Sequence, residues 1–252
     1  MEKVSQRDID WLSQPKENFD MFTTKKVETK AKPQTAKPKK RKGLFYYLFG
    51  FVFMVVSLVI LPFFILIRTA VYLNLDQQIN EWLSLLGGMG ATTLFLSLLF
   101  FFVFRNVKRK KVMAKLTLSS ISMLVGGFII YGLLYLNSVN AKSDSVQEVY
   151  STLHPILRVA VASTTLAEQD LVITDIKRTQ EDYIAMGLTP RESSFHYEQP
   201  TGFVHAIDLR TIGHSELRNT SLEWGLKLMG FQTIRHVGTA DHLHVALPTN
   251  SE

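Results

Sequence analysis

Three long stretches of this chain carry no charged side chain, and they constrain its fold more than any other feature. Between Lys42 and Arg68 runs LFYYLFGFVFMVVSLVILPFFILI. Between Glu81 and Arg105 lies WLSLLGGMGATTLFLSLLFFFVF, and between Lys115 and Lys142 lies LTLSSISMLVGGFIIYGLLYLNSVNA. Each exceeds the roughly 20 apolar residues that cross a hydrocarbon core. A buried helix of a soluble protein rarely runs so far without a charge. The first run starts too late, is too long and lacks the small-residue cleavage site of a removable signal peptide. The composition agrees, with 17 Phe, 46% hydrophobic residues and only 20% charged ones. These runs predict a three-helix transmembrane region over 44–141. Pro62 is positioned to kink the first span. Gly87 with Ala91, and Ser122 with Gly126, form small pairs that let helices approach. No Asp, Glu, Lys, Arg or His lies inside a span, which argues against an ion pathway or proton relay.

Basic residues flank these spans unevenly. The segment KPKKRKG precedes the first span and RNVKRKKVMAK joins the second to the third, whereas the first loop holds only Arg68, Asp76 and Glu81. The positive-inside rule then places the N-terminus and the second loop in the cytoplasm. The expected location is the cell (inner) membrane, multi-pass, with the C-terminal domain periplasmic or extracellular. Residues 1–43 hold 12 Lys/Arg against 6 Asp/Glu and read as a disordered basic cytoplasmic tail lying against anionic headgroups. DIDWLSQ near its start has the pattern of a short docking helix, but no cytoplasmic partner can be read from it. The net charge of +6 does not belong to the C-terminal domain, because residues 138–252 hold 9 Lys/Arg against 14 Asp/Glu. A nucleic-acid partner needs basic charge on the folded domain and is not expected. The chain has no cysteine, which excludes disulfides, Cys zinc sites and thiol nucleophiles.

Residues 142–252 suffice for one small core. SVQEVYSTLHPILRVAVAST reads as helix, with Pro155 positioned to divide it. DLVITDI reads as a strand, KRTQEDYIAMG as a helix ended by Gly187, and PRESSFHYEQPTG as a loop. FVHAIDL is a second strand, and Ser215 to Met229 a helix closed by Gly230. TIRHV and HLHVAL are two more strands around the turn VGTAD. The expected fold is a C-terminal α+β domain, with helices on one face of a small, mainly antiparallel sheet.

All seven histidines lie between His154 and His244. In HLHVAL, strand alternation turns His242 and His244 to one face and Leu243, Val245 and Leu247 to the other. Two imidazoles beside an acid, Asp241, suit a zinc site. Asp208 ends an apolar strand, where a carboxylate is costly without a partner. The third ligand is expected to be His196, from the loop, with His205 as the alternative on a strand that turns it away. His154 lies on a predicted helix and reads as packing or surface; His214 is placed to cap the helix that Ser215 begins and His236 to stand beside the site, but for each of the three an ordinary structural role is the expectation.

SSFHYE…VHAIDL followed by DHLHVAL resembles the zinc D-Ala-D-Ala carboxypeptidase superfamily, whose pattern is S-x-H-x-x-G-x-A-x-D and then a late H-x-H. That superfamily includes endolysin and vancomycin-resistance dipeptidases and the Hedgehog signalling domain. The resemblance covers about residues 150–247. It implies zinc on His196, Asp208 and His244, with Arg178 holding a substrate carboxylate. It offers His242 and Asp241 as acid/base groups. Three departures stand out. His196 and Asp208 are 12 positions apart where the pattern has seven, as if QPTGF were inserted. Val204 replaces the pattern's Gly, and Asp241 stands where other members place Glu.

The resemblance therefore implies a membrane-anchored zinc metallopeptidase, a carboxypeptidase or endopeptidase, whose partners are the lipid bilayer and a peptidoglycan stem peptide as substrate. The competing expectations are a catalytically silent peptide- or partner-binding membrane protein of the same fold, and a scaffold whose outer domain is a sensor.

Overall fold

The computed structural model describes residues 43–104, 106, 109–187, 189, 193–238 and 240–249. The expectations for the basic tail and for DIDWLSQ lie outside these residues. Three helical stretches have the length and composition to cross a membrane: Phe45–Leu75, Glu81–Val103 and Lys110–Leu134. The first consists of α1 (Leu44–Val55), a π-helical turn (Val56–Ile60) and α2 (Leu61–Leu75). Pro62 stands at the start of α2. It has no N–H to give to the preceding turn, and the ladder widens just before it. The sequence predicted a kink at Pro62, and the irregularity falls in the five residues N-terminal to Leu61.

α3 (Glu81–Val103) begins at Asn80, whose side-chain oxygen accepts from the Trp82 N–H at 3.0 Å. Against α2 the close approach is made at Gly88, where a Cβ would lie 2.4 Å from the Leu66 carbonyl oxygen. α4 (Lys110–Leu134) packs on α3 with Gly126 beside Met89. Small residues bring helices together here because lipid offers no hydrophobic gain from larger ones.

Beyond α4 come α5 (Asp144–Glu148), a 3₁₀ turn (Val149–Thr152) and α6 (Pro155–Ala167). Pro155 does divide the predicted helix, since it occupies the first turn of α6, where no N–H is required. His154 caps α6, its Nδ1 accepting from the Ile156 N–H. β1 (Ile173–Asp175) leads to α7 (Gln180–Ala185), which opens with a capping box between Thr179 and Asp182. β2 (Ala206–Arg210) precedes α8 (Glu216–Met229), which Gly230 ends at φ +105°. The cap of α8 is the Ser215 hydroxyl, which accepts from the Arg218 N–H. His214 does not fill that role, because a cap favours a short side-chain oxygen. β3 (Gln232–His236) and β4 (His242–Ala246) complete the chain.

The sheet is antiparallel in the order β1-β2-β4-β3, with a register shift in β1 between Ile173 and Asp175. Asp208 pairs with His244, and His242 lies between Arg210 and His236. Alternation therefore gathers Asp208, His242, His244 and His236 on one face. Ile207, Leu209, Leu243 and Val245 turn to the other face and are buried. Their core is continuous with Ile156, Leu157 and Val159 of α6, Leu222 and Leu226 of α8, and Ile67, Ala70 and Val71 of α2. The membrane helices and the sheet region thus share one core. α6 is the element between them, packing against α2, α3 and α4.

Candidate metal centre

β2 and β4 bring Asp208 and His244 together by register, with the His244 Nδ1 2.8 Å from the Asp208 Oδ1. The loop before β2 supplies His196, whose Nε2 is 3.2 Å from the His244 Nδ1 and 3.3 Å from the Asp208 Oδ1. The three ligand-type atoms form a nearly closed triangle, and these residues could hold a metal ion. Bonds of about 2.0–2.1 Å at tetrahedral angles would set ligand atoms roughly 3.3 Å apart, so the three donors are spaced as a small, tetrahedrally bound metal ion needs.

The loop histidine is fixed in place. Its Nδ1–H donates to the Ile176 carbonyl at 2.7 Å, leaving the Nε2 lone pair directed at the group. Its own carbonyl accepts from the Arg178 N–H at 3.1 Å, and its N–H reaches the Ser194 hydroxyl at 3.3 Å. A backbone carbonyl on the far nitrogen is the usual way of orienting a metal-binding imidazole.

Asp208 is 2% exposed. Burial pushes its carboxyl upward, but the adjoining His196 and His244 rings and the Arg178 charge hold it well below the usual carboxylate range. Arg178 donates from Nη2 to the Asp208 Oδ2 and from Nε to the Asp175 Oδ2 at 2.6 Å, with the Tyr183 ring 5.5 Å from the guanidinium carbon. Burial lowers the Arg178 pKa, yet Asp208 and Asp175 carry it above its ordinary value. The structure therefore brings Arg178 to the group in contact with two of the chain's own carboxylates, and not as an open clamp.

The acid/base candidates separate. His242 lies on the ligand face with Nε2 3.9 Å from the Asp208 Oδ2, and its Nδ1–H donates to the Ala240 carbonyl at 2.7 Å. Its Nε2 is thus available to accept a proton beside the group. His236 stacks on it at 4.8 Å between centroids. Asp241 is not brought to the group. It points to the opposite face, where Arg235 grips it at 2.8 and 3.0 Å and the Thr211 hydroxyl donates to it at 2.5 Å. Those bonds lower its pKa to about 2, far too acidic for a general base at neutral pH. The expectation of Asp241 as a catalytic group is corrected on that ground: residues 241 and 242 alternate across the sheet.

His205 also stays away. Its Nδ1 donates to the Leu247 carbonyl and its Nε2 accepts from the Thr201 hydroxyl. Sequence reasoning missed Asp175, Tyr183 and Ser194. Asp175 stands three residues before Arg178, and Ser194 is the Ser of the S-x-H match, but nothing in the sequence marks Tyr183, whose hydroxyl lies 2.6 Å from that of Ser194.

In comparisons with family models, curated proteins and solved structures, nothing matches the chain.

Proposed function

We propose that this is a membrane-anchored zinc metallopeptidase, D,D-carboxypeptidase-like, acting on peptidoglycan stem peptides from the outer side of a cell membrane. The observation that carries the reading is the His196–Asp208–His244 triangle, whose ligand spacing suits tetrahedral zinc. A bound zinc would supply Lewis-acid polarisation of a scissile carbonyl and a water of lowered pKa. His242 then takes a proton on Nε2 and returns it to the departing amine, its orientation held by the bond from Nδ1–H to Ala240. Arg178 holds Asp208 ionised in its buried position. The two basic flanks support an outward-facing C-terminal region, where cell-wall peptides are met.

The test uses full-length protein in detergent, because the sheet region shares its core with the membrane helices. Zinc content should fall to a small fraction in His196→Ala, Asp208→Ala and His244→Ala, and stay near stoichiometric in His205→Ala and His242→Gln. The His242→Gln protein should hydrolyse D-Ala-terminated peptides about 10²-fold or more slowly. A wild-type protein that binds no metal would sink the peptidase reading. The second reading, a silent binding module, draws on the positions of Asp241 and Arg178, both engaged in internal ion pairs. Metal retention with no chelator-sensitive hydrolysis would favour it. The orientation is checked separately with a reporter fused after Glu252, which should be active only outside the cytoplasm.

A further inference from the structure

The five residues that lengthen the interval between His196 and Asp208 form a turn of their own. Gln199 and Phe203 close it, with the Gln199 N–H donating to the Phe203 carbonyl at 2.9 Å, and Gly202 allows it at φ +79°. Its end rests on the outer end of the first membrane hairpin, where the Phe203 ring lies 6.4 Å from Trp82. Between turn and hairpin is an open cavity of about 430 Å³, lined by Asn74, Gln78, Glu81, Thr201, His205 and Pro248 among others.

Three observations define what this cavity would accept. Its lining contains one acid, Glu81, and no Lys or Arg. Among the described residues the Glu81 carboxylate makes no ion pair or hydrogen bond; its charge is felt by His205, whose two nitrogens are already satisfied by Leu247 and Thr201. The remaining polar lining is amide and hydroxyl. An ammonium group with three N–H donors matches that lining, and an anion does not.

Depth narrows the source. α3 has 23 residues. At 1.5 Å each a helix of that size reaches about 34 Å, against a hydrocarbon core of about 30 Å. Glu81, its first residue, therefore stands just outside the hydrocarbon, at headgroup level. Trp82 beside it is 45% exposed, as expected of an interfacial aromatic anchor.

We propose that this cavity binds the primary ammonium headgroup of an aminophospholipid, with Glu81 as its counter-ion. The site is separate from the candidate metal centre and does not depend on it. A bound headgroup would brace the turn that continues from the His196 loop and the segments flanking β2 and β4.

Full-length protein is reconstituted in nanodiscs of phosphatidylcholine containing phosphatidylethanolamine, and the lipid retained after delipidation is counted by mass spectrometry. Wild type should retain phosphatidylethanolamine over phosphatidylcholine by about fivefold, the ratio that roughly 1 kcal/mol supplies. The preference should vanish in Glu81→Gln and in Glu81→Lys, each checked for an unchanged helical spectrum. Phosphoethanolamine without acyl chains gives a second arm. A rise in Tm with it shows that the headgroup suffices, and no rise alongside a retained lipid preference shows that the membrane-held form is required. Both outcomes keep the ammonium assignment. Equal retention of the two lipids by wild type, or a preference that survives Glu81→Gln, would overturn it.

Discussion

At Asp208 a single buried carboxylate organises everything around it. His244 donates to one of its oxygens, with the His196 Nε2 3.3 Å from that same oxygen, Arg178 donates to the other, and Arg178 in turn is held by Asp175. Removing one partner from such a pair leaves an uncompensated buried charge, which typically costs about 3–5 kcal/mol. Arg178 is therefore better understood as the residue that positions Asp208 than as a clamp for substrate. Arg178→Ala should lower metal affinity by about tenfold or more, as loss of a partner behind a metal ligand usually does. It should also lower the Tm. Arg178→Lys keeps the charge without the fork that spans two carboxylates, and should fall between the two. Metal competition against a chelator of known affinity provides the readout. Wild-type affinity in Arg178→Ala, with only KM raised, would restore the substrate-clamp role.

α6 carries the next level, because it joins the membrane helices to the sheet and is capped by a buried histidine. His154 is fully buried, its ring 4.6 Å from His205 and 5.8 Å from Phe203. Burial, with the His205 and Arg158 charges adding to it, lowers its pKa from 6.5 to about 2. An unfolded chain takes up a proton near pH 6.5, while the folded one does not until far lower. Stability from this group is thus fully present above pH 6.5 and declines as pH falls below it. At pH 5.5 the loss is about 1.4 kcal/mol, one unit below the unfolded value. His154→Asn keeps a capping oxygen and removes the titration, so its Tm should be flatter between pH 5 and 6.5 than that of wild type. An unchanged slope would show that another group carries it. His154 also marks where sequence reading ends. The break at Pro155 is legible in the sequence, as are the uncharged spans, and the H-x-H alternation puts His242 and His244 on one face; the capping role of His154 is not, since the sequence reads it as lying on the helix. Its burial is not legible, because that depends on which elements close over α6. The Asp241–Arg235 pair escaped for a similar reason: Asp241 and the histidine after it are neighbours in sequence, but their partners are set by the β3–β4 register and by Thr211.

On the scale of the whole molecule, the boundary near residue 141 that composition suggests is crossed by packing and by polar contacts. Every residue from Pro155 to Ser163 is buried, although one face of an amphipathic surface helix would be wet. A Cβ on Gly132 of α4 would lie 3.0 Å from the Ala162 side chain and 3.3 Å from the Val159 Cα, so α4 and α6 touch backbone to backbone. The Tyr150 hydroxyl reaches the Gly132 carbonyl at 2.8 Å, and the Arg158 Nη1 donates to the Leu133 carbonyl at 2.7 Å. Arg158 is only 7% exposed, and burial lowers its pKa, so its charge leans on that end of α4, where helix carbonyls are unpaired. Excising residues 138–252 removes these acceptors; the Tyr150 hydroxyl keeps the Arg158 carbonyl at 3.0 Å, but the Arg158 guanidinium loses its partner, a loss of about 1–3 kcal/mol for a donor that stays buried. It also opens the apolar side of α6 to water. The fragment should therefore aggregate or melt without a cooperative transition, while the full chain in detergent melts cooperatively. Size exclusion and thermal circular dichroism would decide the matter. A monomeric fragment with a sharp transition would mean that the sheet region folds alone and that α6 turns a tolerable face to solvent once the membrane helices are gone.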